Sequence, residues 1–149
     1  MLSTRARLAG YRTALEEADL PYRPEYVAVG TFYKAESIEL GMRLLRLPEP
    51  PTAIFAMNDV QALGVYEAAA RLGMAIPADL SVVGFDDLDI AAWAGPPLTT
   101  VRQPLLAMGA NAARLLLEGP QSTDGSVERV DLLTTLVIRE STANYPQLS

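Results

Sequence analysis

The stretch Ala53–Asp59, which reads AIFAMND, decides the fold class of this chain. It begins with a continuous apolar run of strand length, and Asn58 and Asp59 then supply the cap for a helix that follows directly. The same order recurs at Leu80–Asp87, LSVVGFDD, where a second apolar strand ends in two acidic residues. Strands that are apolar on both faces are typical of a parallel sheet covered by helices. The two stretches therefore predict an α/β fold with a parallel sheet flanked by helices.

Strand and helix patterns alternate on either side of these stretches. Beyond 53–57 and 80–85, strands are predicted over residues 26–30 and 98–101, with an extended end over 130–138. Helices are predicted from a cap at Ser3 or Thr4 to residue 18, and over 35–46, 58–71 and 104–117, with a loop or short helix at 88–95 and a polar loop at 121–126. Because the chain opens on a helix, either a strand precedes it or the topology is an unusual helix-first one.

Composition excludes several classes of active site. The 149 residues include 18 acidic and 12 basic side chains, and neither cysteine nor histidine. Disulfides, thiolate nucleophiles, cysteine-based zinc sites, Ser–His dyads and imidazole bases are therefore excluded. The net charge of −6 makes this chain a poor partner for nucleic-acid phosphates. There is no run of roughly 18 apolar residues, as a membrane-spanning helix requires, and the first residues lack the basic-then-apolar pattern of a secretory signal.

Polar residues follow three of the predicted strands. They lie at 31–33 (TFY), at Asn58-Asp59 and at Asp86-Asp87, and Arg5 and Arg7 of the first helix are near enough to reach the same crevice. In open α/β sheets, ligands bind beyond the carboxyl ends of the strands. Sugars bind to such a set of groups, because hydroxyls pair with carboxylates, amides and guanidinium groups while apolar ring faces stack on aromatic rings.

The spacing leaves plainer interpretations open. Asn58 and Asp59 can act simply as helix caps, Asp86 or Asp87 as a turn former, Phe32 and Tyr33 as core or loop anchors, and Arg7 as a solvated charge. An enzymatic alternative takes Asp86, Asp87 and Asp89 as a Mg²⁺ cluster for phosphoryl transfer. Its lysine would have to be Lys34, the sole lysine, which follows a different strand. No glycine-rich phosphate loop accompanies the cluster.

Four ordered motifs resemble the effector-binding core of LacI/GalR-type bacterial transcription regulators. They are Pro51–Gly64 (PTAIFAMNDVQALG), Ile76–Asp87 (IPADLSVVGFDD), Pro96–Pro104 (PPLTTVRQP) and Leu136–Thr142 (LVIREST). Arg5–Tyr11 (RARLAGY) is similar to the start of a helix in the same family. The resemblance covers essentially the whole chain and implies a two-lobed fold, like that of periplasmic sugar-binding proteins, which closes around a small molecule.

The resemblance also implies a set of ligand contacts. Arg7, Asn58 and Asp86 fall where the family makes polar contacts to its effector, and Phe32 falls on the aromatic position that stacks on the ligand. Gln103 falls at the crossover between the lobes, where a hydrogen bond to the ligand or the hinge is expected. Dimers of the family pair partly through the helix after the Asn-Asp motif. The residues therefore expected on or near the dimer interface are Leu63, Tyr66, Glu67 and Ala70.

By the same resemblance, residues 1–149 are a partial effector-binding domain. Residues 1–102 and 134–142 correspond to the second lobe and 103–133 to a segment of the first lobe, while the family's DNA-binding headpiece is absent. Released from its usual lobe, the 104–117 helix would pack its apolar stripe against other molecules. The stripe comprises Leu105, Met108, Leu115 and Leu116.

The sequence therefore predicts an effector-sensing and dimerisation region of a cytoplasmic bacterial DNA-binding regulator. The expected partners are a small-molecule effector such as a sugar, a second copy of the chain, and operator DNA reached only through the missing headpiece. No catalytic residue, cofactor, metal or membrane partner is expected. The alternative is a solute-binding protein of a sugar transporter, and a more remote one is the Mg²⁺-dependent phosphoryl-transfer domain.

Overall fold

The computed structural model describes residues 2–30, 33–118 and 129–144 as five helices and four strands, with a 3-10 turn at Pro24–Tyr26. The helices are α1 (Leu2–Glu17), α2 (Lys34–Leu45), α3 (Asp59–Arg71), α4 (Asp89–Trp93) and α5 (Leu105–Glu118). The strands are β1 (Ala53–Phe55), β2 (Ser81–Asp86), β3 (Thr99–Arg102) and β4 (Thr135–Val137). The strands predicted at 53–57, 80–85 and 98–101 and all four long helices are therefore confirmed, and the predicted loop at 121–126 lies outside the described residues.

The four strands form one sheet in the order β1-β2-β3-β4. Strands β1, β2 and β3 are parallel, with Val83 of β2 paired to both Phe55 and Thr99. Strand β4 runs antiparallel to β3, with Leu136 opposite Val101. The sheet is therefore mixed, whereas the sequence predicted a parallel one. Apolar alternation marks a segment as extended but does not specify its direction, and β4 lies at the edge, where either direction can pair.

Helix α3 packs on β2 and helix α2 packs on α3, and both helices contribute side chains to the core. The fully buried apolar side chains include Leu80 and Val82 beside and within β2, Leu98 before β3, and Ala62 and Ala68 of α3. Small residues let the two helices approach closely, since a methyl group at Gly64 would overlap Ser37 of α2. This close packing fixes the start of α3 against the ends of β1 and β2.

The strand predicted at residues 26–30 is wrong. Tyr26 ends the 3-10 turn, and Val27 is extended, with φ of −103° and ψ of 113°. Val29 is 85% exposed, and residues 27–30 pair with no strand of the described chain. An extended segment becomes a strand only when a neighbour accepts its backbone hydrogen bonds. Here a groove of about 260 Å³ separates the segment from β1.

The start of the first helix also differs from the prediction. Helix α1 begins at Leu2, so Ser3 and Thr4 lie inside it and neither is its cap. Its ridge of Leu8 and Tyr11 lines the groove between residues 26–30 and β1. None of the helices in the described ranges has both the length and the apolar character needed to cross a bilayer.

The segment after β4 is tied to the sheet through Ser141, which is fully buried. Its hydroxyl donates to the carbonyl of Val82 at 2.6 Å and accepts from the backbone N–H of Thr99 at 2.8 Å. The backbone N–H of Val82 donates to the Ser141 carbonyl at 2.9 Å. These hydrogen bonds join β2, β3 and the C-terminal segment.

Helix α5 follows β3 after Gln103-Pro104 and contributes no buried side chain. Leu106, Leu116 and Leu117 are each at least 84% exposed. The helix was predicted from its apolar spacing and its leading proline. The prediction is confirmed, because α5 begins directly after Pro104. Leu105 and Met108 are also exposed, whereas Leu115 is half-buried.

Candidate functional site

The carboxyl ends of three parallel strands meet at one edge of the sheet. Met57 and Asn58 follow β1, Asp86 ends β2, and Gln103 follows β3. The register pairs Asp86 with Arg102, so Asp86 and Gln103 belong to adjacent strand ends. This is the edge at which ligands bind in open α/β sheets. We call it the ligand edge.

Asp86 and Gln103 are in direct contact at the ligand edge. The Gln103 side-chain amide donates to Oδ1 of Asp86 at 2.6 Å, and both side chains are half-buried. A carboxylate accepts up to about four hydrogen bonds, and an amide has both a donor and an acceptor end. The pair therefore presents both kinds of group to the crevice, in the residues that the sequence predicted.

Arg7 reaches the ligand edge from α1. Its Nη1 donates to the carbonyl of Met57 at 2.6 Å, and the guanidinium carbon lies 3.8 Å from the centroid of the Phe85 ring. A cation over an aromatic face gains about 0.5–1 kcal/mol at an exposed site. The two contacts hold the Arg7 guanidinium against the end of β1 and the face of Phe85, so the interpretation of Arg7 as a freely solvated charge is wrong.

Asn58 acts as the N-cap of α3. Its side-chain oxygen accepts from the backbone N–H of Gln61 at 2.7 Å, and the residue is 7% exposed. The cap chemistry predicted for this position is therefore confirmed for Asn58. Capping uses the oxygen only, and the amide nitrogen is a separate donor. The cap fixes the orientation of that donor at the end of β1.

Phe32, the predicted stacking residue, lies outside the described residues. The neighbouring Tyr33 is 75% exposed and precedes α2. The aromatic ring that sequence reasoning missed at the ligand edge is Phe85. It is half-buried in an apolar strand, on the face opposite the buried Val82 and Gly84, and the strand pattern gives no sign that Arg7 covers its ring.

Asp86 and Asp87 form a strained turn at the end of β2. Their φ angles are 110° and 57°, in the left-handed region that favours glycine. Residues held there cost of order 1–3 kcal/mol each and persist only where the surroundings hold them. The predicted turn-forming role is therefore confirmed for both residues, and the turn aims Asp86 at Gln103.

Two arginines hold Asp87, whose side chain is 8% exposed. Arg102 donates from Nε at 2.5 Å and Arg139 from Nη2 at 2.7 Å. Burial alone would raise the pKa of Asp87, but the hydrogen bonds from Arg139 and Arg102 hold that pKa below the usual value for aspartate. Asp87 is therefore a charged anchor between β3 and the segment after β4. Neither arginine was singled out from the sequence, although Arg139 lies in the LVIREST motif.

Asp59 lies behind the ligand edge, fully buried. Its Oδ1 accepts from the Thr100 hydroxyl at 2.6 Å, and its Oδ2 accepts from the Leu88 N–H at 2.7 Å. Burial raises the pKa of Asp59, and the carboxylates of Asp86 and Asp87 raise it further, against the two hydrogen bonds. Because Asn58 is the cap, the alternative in which Asp59 acts only as a cap is wrong.

The magnesium alternative finds little support at this edge. In the described ranges, no group of three acidic side chains is arranged to hold a metal ion. Asp87 is already ion-paired with Arg102 and Arg139, and Asp86 accepts a hydrogen bond from the side-chain amide of Gln103. The polar groups at the ligand edge can hydrogen-bond a neutral polar molecule, whose hydroxyls both donate and accept.

The four residues predicted at a dimer interface lie on one face of α3. Leu63, Tyr66, Glu67 and Ala70 line a shallow hollow of about 420 Å³, together with Pro96 and residues 74–76. The Tyr66 hydroxyl donates to the Pro96 carbonyl at 3.0 Å, which ties α3 to the loop before β3. Trp93, at the end of α4, is 79% exposed. The hollow runs along α3 from Leu63, about one turn after the capped start, to Ala70.

Comparisons with known proteins agree with the fold. A family model described as a periplasmic binding protein-like domain matches residues 2–142. The HTH-type transcriptional repressor PurR of Haemophilus influenzae (strain PittEE) is 39% identical over 142 residues, which are 93% of this chain and 42% of PurR. The HTH-type transcriptional repressor CytR of Escherichia coli (strain K12) is 41% identical over 141 residues, covering 94% of this chain and 41% of CytR. The chain thus spans less than half the length of these curated relatives.

Solved structures are similar over the same extent. A LacI-type transcriptional regulator from Bacillus cereus subsp. cytotoxis superposes with a TM-score of 0.89 at 31% identity, covering 95% of this chain and 50% of that one. A LacI family regulator from Enterococcus faecium with bound ribose superposes with a TM-score of 0.83 at 32% identity, covering 93% of this chain and 51% of that one.

Proposed function

Because the chain belongs to the family of periplasmic binding protein-like domains, we propose that it is the effector-sensing region of a bacterial transcription regulator of the LacI type. Its effector is a sugar or a similar small polar molecule. The single observation that carries the proposal is the convergence of Arg7, Asp86 and Gln103 at the ligand edge, from α1, β2 and the end of β3.

The chemistry of the ligand edge suits a polyhydroxylated ligand. The Asp86 carboxylate accepts hydrogen bonds from hydroxyl groups, while the Gln103 amide and the Arg7 guanidinium donate to hydroxyl and ring oxygens. Asn58 adds an amide at the end of β1. The structurally similar regulator from Enterococcus faecium has ribose bound. We therefore take D-ribose as the first probe, without restricting the class to pentoses.

A regulator fits better than the solute-binding alternative. Both curated relatives described above are HTH-type transcriptional repressors. The net charge of −6 is unfavourable for direct contact with DNA phosphates. Operator binding is therefore assigned to a headpiece outside residues 1–149, with action in the bacterial cytoplasm, where operators are found. No catalytic step is assigned to the chain.

Ligand binding is coupled to DNA binding through Gln103. This residue bonds to Asp86 and stands between β3 and α5, where the resemblance places the crossover between lobes. A ligand hydroxyl that donates to Asp86 replaces the Gln103 amide and so shifts the population of crossover conformations. The effector then favours one arrangement of the lobes, and with it one spacing of the DNA-binding segments.

The hollow on α3 is the proposed dimer face. Leu63, Tyr66, Glu67 and Ala70 present an apolar surface with a charged margin, which suits a two-fold contact between identical chains. Leu63→Glu should then shift a dimer to monomer in sedimentation velocity, whereas Glu39→Ala, an exposed acid on α2, should not. A dimer that persists unchanged with Leu63→Glu would contradict this assignment.

Calorimetry tests the binding site. The full-length protein is titrated with D-ribose and a panel of hexoses and nucleosides, as wild type and as Asp86→Ala. Loss of the carboxylate should lower the affinity for the effector about tenfold or more, and tenfold corresponds to about 1.4 kcal/mol of binding free energy. Glu39→Ala also removes one carboxylate, but outside the ligand edge, and this control should bind the effector as tightly as wild type. If Asp86→Ala binds the effector as tightly as wild type, the site assignment fails.

A further inference from the structure

Behind the ligand edge, the carboxylate of Asp59 lies against Gly84, where β2 has no side chain. A methyl group at Gly84, in the middle of β2, would overlap Oδ1 of Asp59 and crowd Leu98. The missing side chain at this position is what allows Asp59, which begins α3, to lie fully buried over the sheet between β2 and β3. A glycine inside a strand commonly marks such a close approach.

The two oxygens of Asp59 have different partners. Oδ1 accepts from the Thr100 hydroxyl of β3, while Oδ2 accepts from the backbone N–H of Leu88. Thr100 belongs to the sheet itself, whereas Leu88 comes after the turn that carries Asp86. One oxygen thus fixes the carboxylate, and the other holds the far end of the turn.

The turn needs such a hold. Asp86 and Asp87 both have left-handed φ angles, which an aspartate keeps only where its surroundings impose them. Gln103 contacts the Asp86 side chain and the two arginines contact the Asp87 side chain, but Asp59 is bonded to the backbone that follows. Its contact therefore constrains the path of the chain rather than one side chain.

We propose that Asp59 is the positioning residue of the ligand site: its buried carboxylate, lying over Gly84, holds the turn that directs Asp86 towards the ligand. This inference rests on the proposed role of Asp86 in sugar binding. Asp59 itself does not touch the ligand. Its effect on affinity passes through the backbone between Asp86 and Leu88.

The test distinguishes the effects of the hydrogen bonds that the two Asp59 oxygens accept. Asp59→Ala removes both contacts, whereas Thr100→Val removes the fixing contact and leaves the Leu88 N–H bonded. Asp59→Asn is the rescue, because its amide oxygen accepts from Leu88 while its NH₂ donates to the Thr100 hydroxyl. Asp59→Ser is measured as a second disruptive variant, since a serine keeps a helix-compatible polar group that is too short to reach both partners.

Two readouts are taken on each variant. Hydrogen exchange of the Leu88 amide, followed by NMR, reports the hold on the turn without any ligand. Calorimetry with D-ribose reports its consequence for the site. We expect Asp59→Ala and Asp59→Ser to speed exchange of the Leu88 amide by more than their change in global stability explains. Both variants should also lower the affinity for D-ribose by about tenfold. Asp59→Asn and Thr100→Val should stay within about threefold of wild type in both readouts, although Thr100→Val lowers the unfolding midpoint.

Either of two results overturns the proposal. The first is an unchanged Leu88 amide in both disruptive variants, and the second is a loss of ribose affinity in Thr100→Val equal to that in Asp59→Ala. Failure of the proposed function has a different pattern, because Asp86→Ala then matches wild type in ribose titrations. In that case the Leu88 exchange rates alone decide whether Asp59 holds the turn.

Discussion

The junction of β2 and β3 and the helix α5 are both apolar, yet they are packed in opposite ways. Leu80, Val82 and Leu98 at the junction are fully buried, whereas Leu106 of α5 is 90% exposed and Leu117 is 88% exposed. The junction is also bonded through Asp59, Asp87 and Ser141, while α5 contributes no buried side chain. An amphipathic pattern specifies that a face will be covered, and only the fold decides what covers it.

The largest difference in the free energy of unfolding should come from truncating a leucine to alanine in each of the two regions. Leu98→Ala at the junction should lower the free energy of unfolding by about 2–5 kcal/mol, because it loses burial and leaves a cavity. Leu106→Ala on α5 should change it by less than about 0.5 kcal/mol. Chemical denaturation of both variants measures the difference. Similar losses in the two variants would show that α5 is packed in solution as firmly as the sheet.

Asp87→Asn should lower the stability of the junction by about 2–3 kcal/mol at neutral pH, since hydrogen bonds to two arginines are weakened. The folded-state pKa of Asp87 is lowered, so the stability it contributes is present above the unfolded pKa of about 3.9 and is lost as the pH falls through the folded value. The gap between variant and wild type should therefore shrink below pH 4 in denaturation curves. A gap that is constant from pH 7 to about pH 3 would contradict the ion-pair account.

Ser141→Ala should cost about 1–2 kcal/mol, because it leaves the buried N–H of Thr99 without its acceptor. Thr13→Ala, on the exposed face of α1, removes a hydroxyl without burial and serves as the control. Denaturation midpoints measure both changes. Equal midpoints for the two variants would mean that the C-terminal segment is not clasped to the sheet.

The smallest change in stability is expected on α5, where association should change instead. Leu116→Gln with Leu117→Gln should leave the free energy of unfolding within about 0.5 kcal/mol. If the exposed stripe packs between molecules, as the sequence predicts, the double variant should lower the mass found by light scattering at high protein concentration. A wild-type chain that is already monomeric under those conditions would contradict that packing.

The strand ends and helix starts were predictable because local chemistry marks them. Apolar runs end at Asn58 and Asp86, and proline precedes α5, so these element boundaries could be placed from spacing alone. The segment at residues 26–30 has the same apolar content but is not a strand, because pairing depends on a neighbour that composition does not describe. The antiparallel direction of β4 is likewise a property of the partner strand.

The site was predictable only in part, for a related reason. Arg7 and Asp86 stand out as polar residues of the first helix and of a strand end, whereas Gln103 was expected only from the family resemblance. Phe85 and Gly84 have the pattern of an ordinary buried strand, and their roles under Arg7 and Asp59 appear only when α1 and α3 are placed over the sheet. Asp59 looks like a cap because a cap and a buried anchor occupy the same position in sequence.

The central claim is that Arg7, Asp86 and Gln103 form a sugar site at the carboxyl ends of the parallel strands. The most direct measurement is an NMR titration of the ¹⁵N-labelled protein with D-ribose, since it detects weak binding and locates it. The account predicts saturable shifts centred on the amides of Asn58, Asp86 and Gln103 that are absent in Asp86→Ala. Saturable shifts confined to the α3 hollow, or shifts that persist unchanged in Asp86→Ala, would contradict it.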